Sequence, residues 1–411
     1  MSASWEPDPD FDLEQHVRKI ALPKPAGQAE LEALVSHLAG SALDRRRPMW
    51  QFHFVENFGA VSAAILRIHH CYADGMAMLR VFLSLTDLEA EPARSSPRPR
   101  HAAAARGEQE TLAWLGRLNV PGAGLVQKAL AEGAEWFARA ADLTHNPEQA
   151  SELARHALGI AAELARVAML ADDPPTRFKG ALGTRKIAAW TDPLPLSEVK
   201  TVARALGCTV NDLLMSTVAG ALGAYLRDHG EDTTGQAIRA TVPVNLRDPQ
   251  QAASLGNHFG LVFLELPIGI RNPLERLFAV RAAMTALKGS YQPVLTLGLM
   301  AAFGMLPDSA QSAAIDLLST KATLVATNVP GPSHPMYLAG KRIERMIFWV
   351  PQSGDIGLGV SILSYAGQVQ FGLIADHKRI PDPAAVTARF HDEFEKVVLS
   401  LLLGPDLRKG R

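Results

Sequence analysis

The stretch LRIHHCYADG, residues 66–75, decides how this chain is read. An apolar run ends on two histidines, and an aspartate and a glycine follow at once. On spacing alone two readings stay open: a strand end with incidental polar residues, or an acid–base site. Neighbouring side chains on a strand face opposite sides. If the strand continues through the pair, one ring is presented and the other turns into packing. The same alternation makes Cys71 a poor partner for His70. Asp74 lies close to the start of the next helix, where the positive end of the helix favours a carboxylate. Gly75 permits a tight turn or a close backbone approach.

Working outward, QFHFVEN (51–57) and VSAAILRI (61–68) predict two strands of a hairpin, and GMAMLRVFLSLTDL (75–88) predicts a helix. EPARSSPRPRHAAAARGE then has the composition of a linker, and an Ala-rich helical stretch follows over about 109–171. A second folded section begins near Lys179. TRKIAAW, IRATVPVNLR, HFGLVFLEL, TLVATNVP, RMIFWV, IGLGVSILSY and QVQFGLIAD predict strands, the last two paired across Ala366 and Gly367. SEVKTVARALG, TVNDLLMSTVAGALGAYLRDHG, PLERLFAVRAAMTALK and AAVTARFHDEFEKVVLSLL predict helices. Strands and helices mix in both sections, so the fold class is α/β (mixed α+β).

Composition narrows the function. A chain of 411 residues, 47% hydrophobic and 20% charged, is globular and long enough for two cores. Its formal net charge of −1 gives no basic footprint for nucleic acid. Two cysteines, Cys71 and Cys208, make neither a disulfide framework nor a four-ligand zinc site, which suits a reducing cytoplasm. The acidic N-terminus has no secretory pattern. The apolar run VLTLGLMAAFGML (294–306) is shorter than a membrane span and reads as a core or interfacial helix.

Three more stretches bear on chemistry. In TVNDLLMS (209–216), Thr209 and Asp212 have capping-box spacing. That leaves Asn211 unexplained in the first helical turn, where its amide could point at a ligand. TNVPGP (327–332), with Asn328, Pro330 and Gly331, predicts a rigid loop after a strand. LDRRRPMW (43–50) taken alone is a basic surface turn with one buried ring, Trp50, behind Pro48. His70 and Asp74 could ligate an ion with His53 or His69, but no other paired ligand spacing is present, and the expectation is no metal.

Together, HHCYADG, LDRRRPMW, Asn211-Asp212, PVNLRD (243–248), GNHFG (256–260), TNVPGP and GLGVSILSYAGQVQFGLIAD (357–376) resemble, in order, the bacterial wax ester synthase/acyl-CoA:diacylglycerol acyltransferases. The HHxxxDG motif alone is shared with condensation domains and other relatives of chloramphenicol acetyltransferase. The resemblance implies two acetyltransferase-like subdomains forming a pseudo-dimer around a central tunnel, at residues 1–89 and 179–411, with 90–178 as a helical crossover. It implies His70 as general base, with His69, Asp74 and Gly75 as the supporting motif and His69 turned the other way, into packing. Asn211 and Asp212 would stabilise the oxyanion or position substrate, with Pro48, Trp50, Arg247, Asn328, Pro330 and Gly331 structural. Asp74 would either hold the imidazole or pair with an arginine, for which Arg247 is the candidate.

The implied reaction is transfer of a fatty acyl group from acyl-CoA, as co-substrate, to a long-chain alcohol or diacylglycerol, with no cofactor. Contact with the inner membrane or lipid bodies and a homodimer are compatible with it. The family's opening helix and first strand find no match in residues 1–20, so the first sheet is expected to be incomplete with an exposed edge. A condensation-type enzyme using carrier-bound acyl groups and a shortened, non-catalytic lipid-binding relative are the alternatives.

Overall fold

The computed structural model describes residues 6–91, 166, 169–246, 259–288, 290, 292–293, 295–297, 315–316 and 318–404. The Ala-rich stretch and most of 294–306 lie outside them.

The first sheet has the order β1-β2-β3, with β1 Val17–Ile20, β2 Trp50–Phe58 and β3 Val61–Ile68. The strands β2 and β3 form the expected hairpin, and β1 runs parallel to β2 with Val17 opposite Phe52. A one-turn helix α1, Leu13–His16, leads into β1. Helix α2, Gln28–Gly40, covers one face, its first turn fixed by Glu30 accepting the Gly27 N–H at 2.8 Å. Neither β1 nor α2 was expected from the sequence; β1 is only four residues long and largely exposed, too short for a periodic pattern. Among the described residues, β1 and β3 are the edges of this sheet.

The second sheet has the order β4-β12-β11-β8-β6-β7, with β5 also pairing β12. Its strands are β4 Lys186–Trp190, β5 Leu194–Pro195, β6 Ile238–Asn245, β7 Phe259–Leu266, β8 Leu324–Pro330, β11 Leu358–Tyr365 and β12 Gln368–Asp376. A small ribbon, β9 Tyr337–Leu338 and β10 Lys341–Arg342, stands apart. The β11–β12 turn places Ala366 at φ 46° and Gly367 at φ 80°, the left-handed pair that matches hairpin twist. Helices α4 Leu196–Ala205, α5 Val210–Asp228, α6 Pro273–Lys288 and α7 Pro383–Leu402 complete this half. Its core joins Leu213, Leu222 and Leu226 of α5 to Leu324, Val360 and Phe371 of the sheet and Phe390 of α7.

The two halves share packing. Leu31 and Val35 of α2 and Val55 of β2 meet Ala188 and Trp190 of β4 in one cluster. Ser36 of α2 accepts the Ala188 N–H at 2.9 Å, so α2 also satisfies part of the outer edge of β4. At the opposite edge, side chains do the same for β7: Gln292 accepts the Phe263 N–H at 2.8 Å and Thr296 the Leu261 N–H at 2.7 Å. Both sheet edges are thereby blunted against further pairing.

Two expected elements differ. The helix from Gly75, α3, ends at Leu83 rather than continuing to Leu88, because Ser84 and Thr86 turn their hydroxyls onto the Val81 and Leu83 carbonyls. RMIFWV is not a strand. β11 and β12 already have partners on both sides, and the segment crosses their face instead. A Cβ on Gly359 would lie 3.3 Å from the Val350 carbonyl oxygen, and one on Gly372 3.4 Å from that of Phe348.

An ion pair is sealed between α6 and α7. Arg276 and Glu393 are 1% and 2% exposed, and Arg276 also donates through Nε to the Ser216 carbonyl of α5 at 3.0 Å. Burial pushes the Arg276 guanidinium below its ordinary pKa. Glu393→Ala leaves that cation alone in the core and is expected to cost about 3–5 kcal/mol in denaturant unfolding. His53, on β2, is 3% exposed and neither ring nitrogen has a hydrogen-bond partner. Burial, then the Arg67 and Arg18 charges, holds its ring below the ordinary histidine value of 6.5. The unfolded chain therefore binds this proton at a pH where the folded chain does not. Stability is complete above about pH 6.5 and is lost as pH falls below it, and His53→Leu should flatten that slope in denaturant midpoints.

Candidate active site

The strand β3 stops at Ile68, opposite Trp50, and the histidine pair lies in the turn beyond it. The His69 N–H donates to the Met49 carbonyl at 2.9 Å, and the Met49 N–H donates to the Tyr72 hydroxyl at 2.8 Å. These two bonds clasp the LDRRRPMW segment to the histidine loop. Tyr72 was not singled out in the sequence; no local pattern marks a hydroxyl that reaches back 23 residues.

His69 is a correction. It does not turn into packing: its side chain is exposed, and its Nδ1 accepts the Cys71 N–H at 3.2 Å. Strand alternation fails because the pair stands in a turn. His70 is half-buried, with its ring edge-on to Phe259, centroids 5.8 Å apart at 71°. Phe259 opens β7, so the imidazole of the first half meets the second half there.

Asp74 is 6% exposed and caps α3, its Oδ1 accepting the Ala77 N–H at 3.0 Å. Arg247 lies outside the described residues. Gly75 is the first residue of α3, and a Cβ there would meet nothing within 4 Å. Among the described residues, neither a tight turn nor packing therefore requires a glycine at this position.

In the second half, the Thr209 N–H donates to Asp212 Oδ2 at 2.9 Å and the Asp212 N–H to Thr209 Oγ1 at 3.1 Å, the reciprocal capping box at the start of α5. Asp212 is thus held in structure, whereas Asn211, 6% exposed, accepts from Asn328 Nδ2 at 3.1 Å. Asn328 follows Leu324 and Ala326 on the helix-facing side of β8. Pro330 ends β8, and the Gly331 N–H donates to the Ser364 carbonyl at 2.7 Å. A Cβ on Gly331 would stand 2.8 Å from that oxygen, so close approach excludes any other residue.

The sheet is open at this end. The β6–β8 ladder pairs only Ala240 with Leu324 and Thr241 with Val325. Two residues on, Pro243 has no N–H to donate. Asn245, the last residue of β6, lies opposite Phe259. His70, Phe259, Asn328 and Asn211 therefore gather at one end of the second sheet, beside an unzipped pair of parallel strands.

At the clasp, Trp50 is half-buried against His16, centroids 4.6 Å apart, and Pro48 is half-buried. Asp44 binds the Arg46 guanidinium and backbone N–H, which together hold its carboxyl down at about 2. Arg45, Arg46 and Arg47 of this turn are exposed.

With this geometry in place, comparison with known proteins is decisive. Residues 1–214 match the wax ester synthase/diacylglycerol acyltransferase catalytic domain, and residues 255–397 match the C-terminal domain of the same enzymes. The chain belongs to this family. It is an acyltransferase. A Mycobacterium tuberculosis H37Rv protein named a probable diacylglycerol O-acyltransferase is 30% identical over 96% of this chain and 81% of its own length. The wax ester synthase/diacylglycerol acyltransferase of Marinobacter aquaeolei VT8 superposes with a TM-score of 0.63 at 21% identity, over 97% of this chain and 83% of that one. The starter condensation domain of rhizomide synthetase shares the fold, with a TM-score of 0.52 at 13% identity over 93% of this chain and 76% of that one.

The helix cap makes a separable prediction. Asp74→Ala should lower thermal stability by about 1 kcal/mol, while Asp74→Asn, which keeps a capping oxygen, should recover that part. Melting curves of the two variants make the comparison.

Proposed function

We propose that this acyltransferase moves a fatty acyl group from acyl-CoA to the hydroxyl of a long-chain alcohol or a diacylglycerol, with His70 as general base. The observation that carries the reading is the His70–Phe259 contact, which brings a half-buried imidazole to the junction of the two halves beside the unzipped ends of β6 and β8. Family membership supplies the reaction type.

An alcohol is a feeble nucleophile at neutral pH, and a base must take its proton as the new bond forms. A neutral imidazole, with an ordinary pKa of about 6.5, suits that task, and such help is worth about 10²–10⁴-fold. In this mechanism the alcohol oxygen attacks the thioester carbonyl while His70 accepts its proton. The carbonyl oxygen becomes an oxyanion, for which the Asn211 amide is a suitable donor. The tetrahedral intermediate then expels the coenzyme A sulfur, which takes the proton from the imidazolium and leaves as the thiol. No acyl-enzyme forms. Asp74 serves by fixing the turn between β3 and α3, and Tyr72 by clasping it to Met49.

The substrates are lipids, and exposed apolar side chains support contact with a lipid surface close to the site. Phe11, Leu13 and Val17 are 47%, 56% and 40% exposed, and Phe11 lies 6.3 Å from the Trp50 ring. Among the described residues, no single helix is long and apolar enough to cross a membrane. We read this as peripheral attachment.

The test is thiol release from palmitoyl-CoA offered hexadecanol and diacylglycerol in parallel. Wild-type protein should release thiol with at least one, and His70→Ala should abolish release while keeping its melting temperature. Near-normal turnover in His70→Ala would overturn the role of that histidine.

A further inference from the structure

The Asn211–Asn328 contact goes beyond the motif each residue belongs to. We propose that Asn328 is a positioning residue, which fixes the side-chain amide of Asn211 so that its NH2 group is directed at the carbonyl oxygen of the acyl thioester. The inference rests on the acyl-transfer reading above and adds to it the residue that orients the donor.

The argument is one of hydrogen-bond inventory. A side-chain amide has one accepting oxygen and one NH2 group, and a free amide can turn either end toward a ligand. Asn328 Nδ2 donates to Asn211 Oδ1 at 3.1 Å, so the accepting end of Asn211 is occupied. The donating end bonds to nothing among the described residues. It is not a sealed, orphaned atom either: the buried polar atoms that lack partners include His53 Nδ1 and Gln292 Nε2, but no atom of Asn211 or Asn328. The NH2 group of this largely buried side chain is thus left without a protein partner among the described residues, and an oxyanion would supply one.

The backbone on each side is fixed. Asn211 stands in the first turn of α5, between the two residues of the reciprocal capping box, and cannot swing with a loop. Asn328 lies in the β8–β11 ladder opposite Ile362, with the Gly331 N–H anchored just beyond it. Two rigid elements therefore set the amide plane, and the loss of rotamer freedom is met on folding and not in the transition state. The pair sits at the end of the sheet where β6 and β8 have separated and where Asn245 pairs with Phe259, the ring against His70. Base and oriented donor thus approach the same opening, one from each half of the chain.

Variants of Asn328 test this through kcat, KM for palmitoyl-CoA and hexadecanol, and Tm. Asn328→Leu keeps the number and branching of side-chain heavy atoms and frees the Asn211 amide to rotate. It should lower kcat roughly 10- to 100-fold, with both KM values held within about twofold and Tm nearly unchanged. Asn328→Asp can only accept, and so turns the Asn211 NH2 group away from the substrate; its kcat should fall to that of Asn211→Leu. The double variant Asn211→Leu/Asn328→Asp should be no worse than either single one, since both remove the same donor. Wild-type kcat in Asn328→Leu, a kcat loss that tracks a fall in Tm, or additive losses in the double variant would overturn the positioning role. Absence of thiol release from the wild-type protein itself is a different result, and overturns the acyl-transfer reading beneath it.

Discussion

The candidate site depends on how the two halves of the chain are held together; among the described residues α2 packs against β4, and α3 packs against Met336 and Tyr365. Leu31 and Val35 enter one cluster with Val55 of the first sheet and Ala188 and Trp190 of the second. Ser36 adds a hydrogen bond to a strand edge that would otherwise be unsatisfied. The interior is close-packed, so a shift in this contact passes to both sheets rather than being absorbed. His70 is carried by the first sheet and Phe259, Asn211 and Asn328 by the second. A small rotation of one half against the other would separate His70 from Asn211 and Asn328.

Around that junction the protein uses short polar clasps beside its apolar packing. The Met49–His69 and Met49–Tyr72 bonds fasten the histidine turn, Asp74 fastens the helix after it, and Gly331 fastens the loop after β8. Apolar side chains filling the same space would close the opening between β6 and β8. Backbone hydrogen bonds hold a turn in place from one side only, and leave the other free for substrate. The sealed Arg276–Glu393 ion pair, by contrast, ties α6 to α7 within the helical layer of the second half.

The helical layer explains how one half can be both rigid and open. Most of α5 is buried, and its core residues reach the sheet and α7 at once. The first turn of α5, where Asn211 sits, is therefore as immobile as its middle. β6 and β8 need not pair along their full length to be held, because α5 and the neighbours of each strand fix them independently.

Much of this was legible in the sequence because it is local. The β2–β3 hairpin, the Thr209–Asp212 box, the Ala366–Gly367 turn and the full extent of α6 depend on residues a few positions apart, and periodicity and turn chemistry report them. The motifs also picked out His70 and Asn211, which the fold brings to the same end of the second sheet. What the sequence could not decide was neighbourhood. RMIFWV has the composition of a strand, yet it crosses the face of β11 and β12, which are already paired on both sides. His69 looked like a packed strand residue, but the strand ends one position earlier. The contacts that make the site, Asn211 with Asn328 across 117 residues and His70 with Phe259, join segments that no spacing rule connects. Hydrogen bonds and ring contacts act over a few ångströms. Chain order sets which residues can form a turn, and only the packing of sheets and helices sets which distant ones touch.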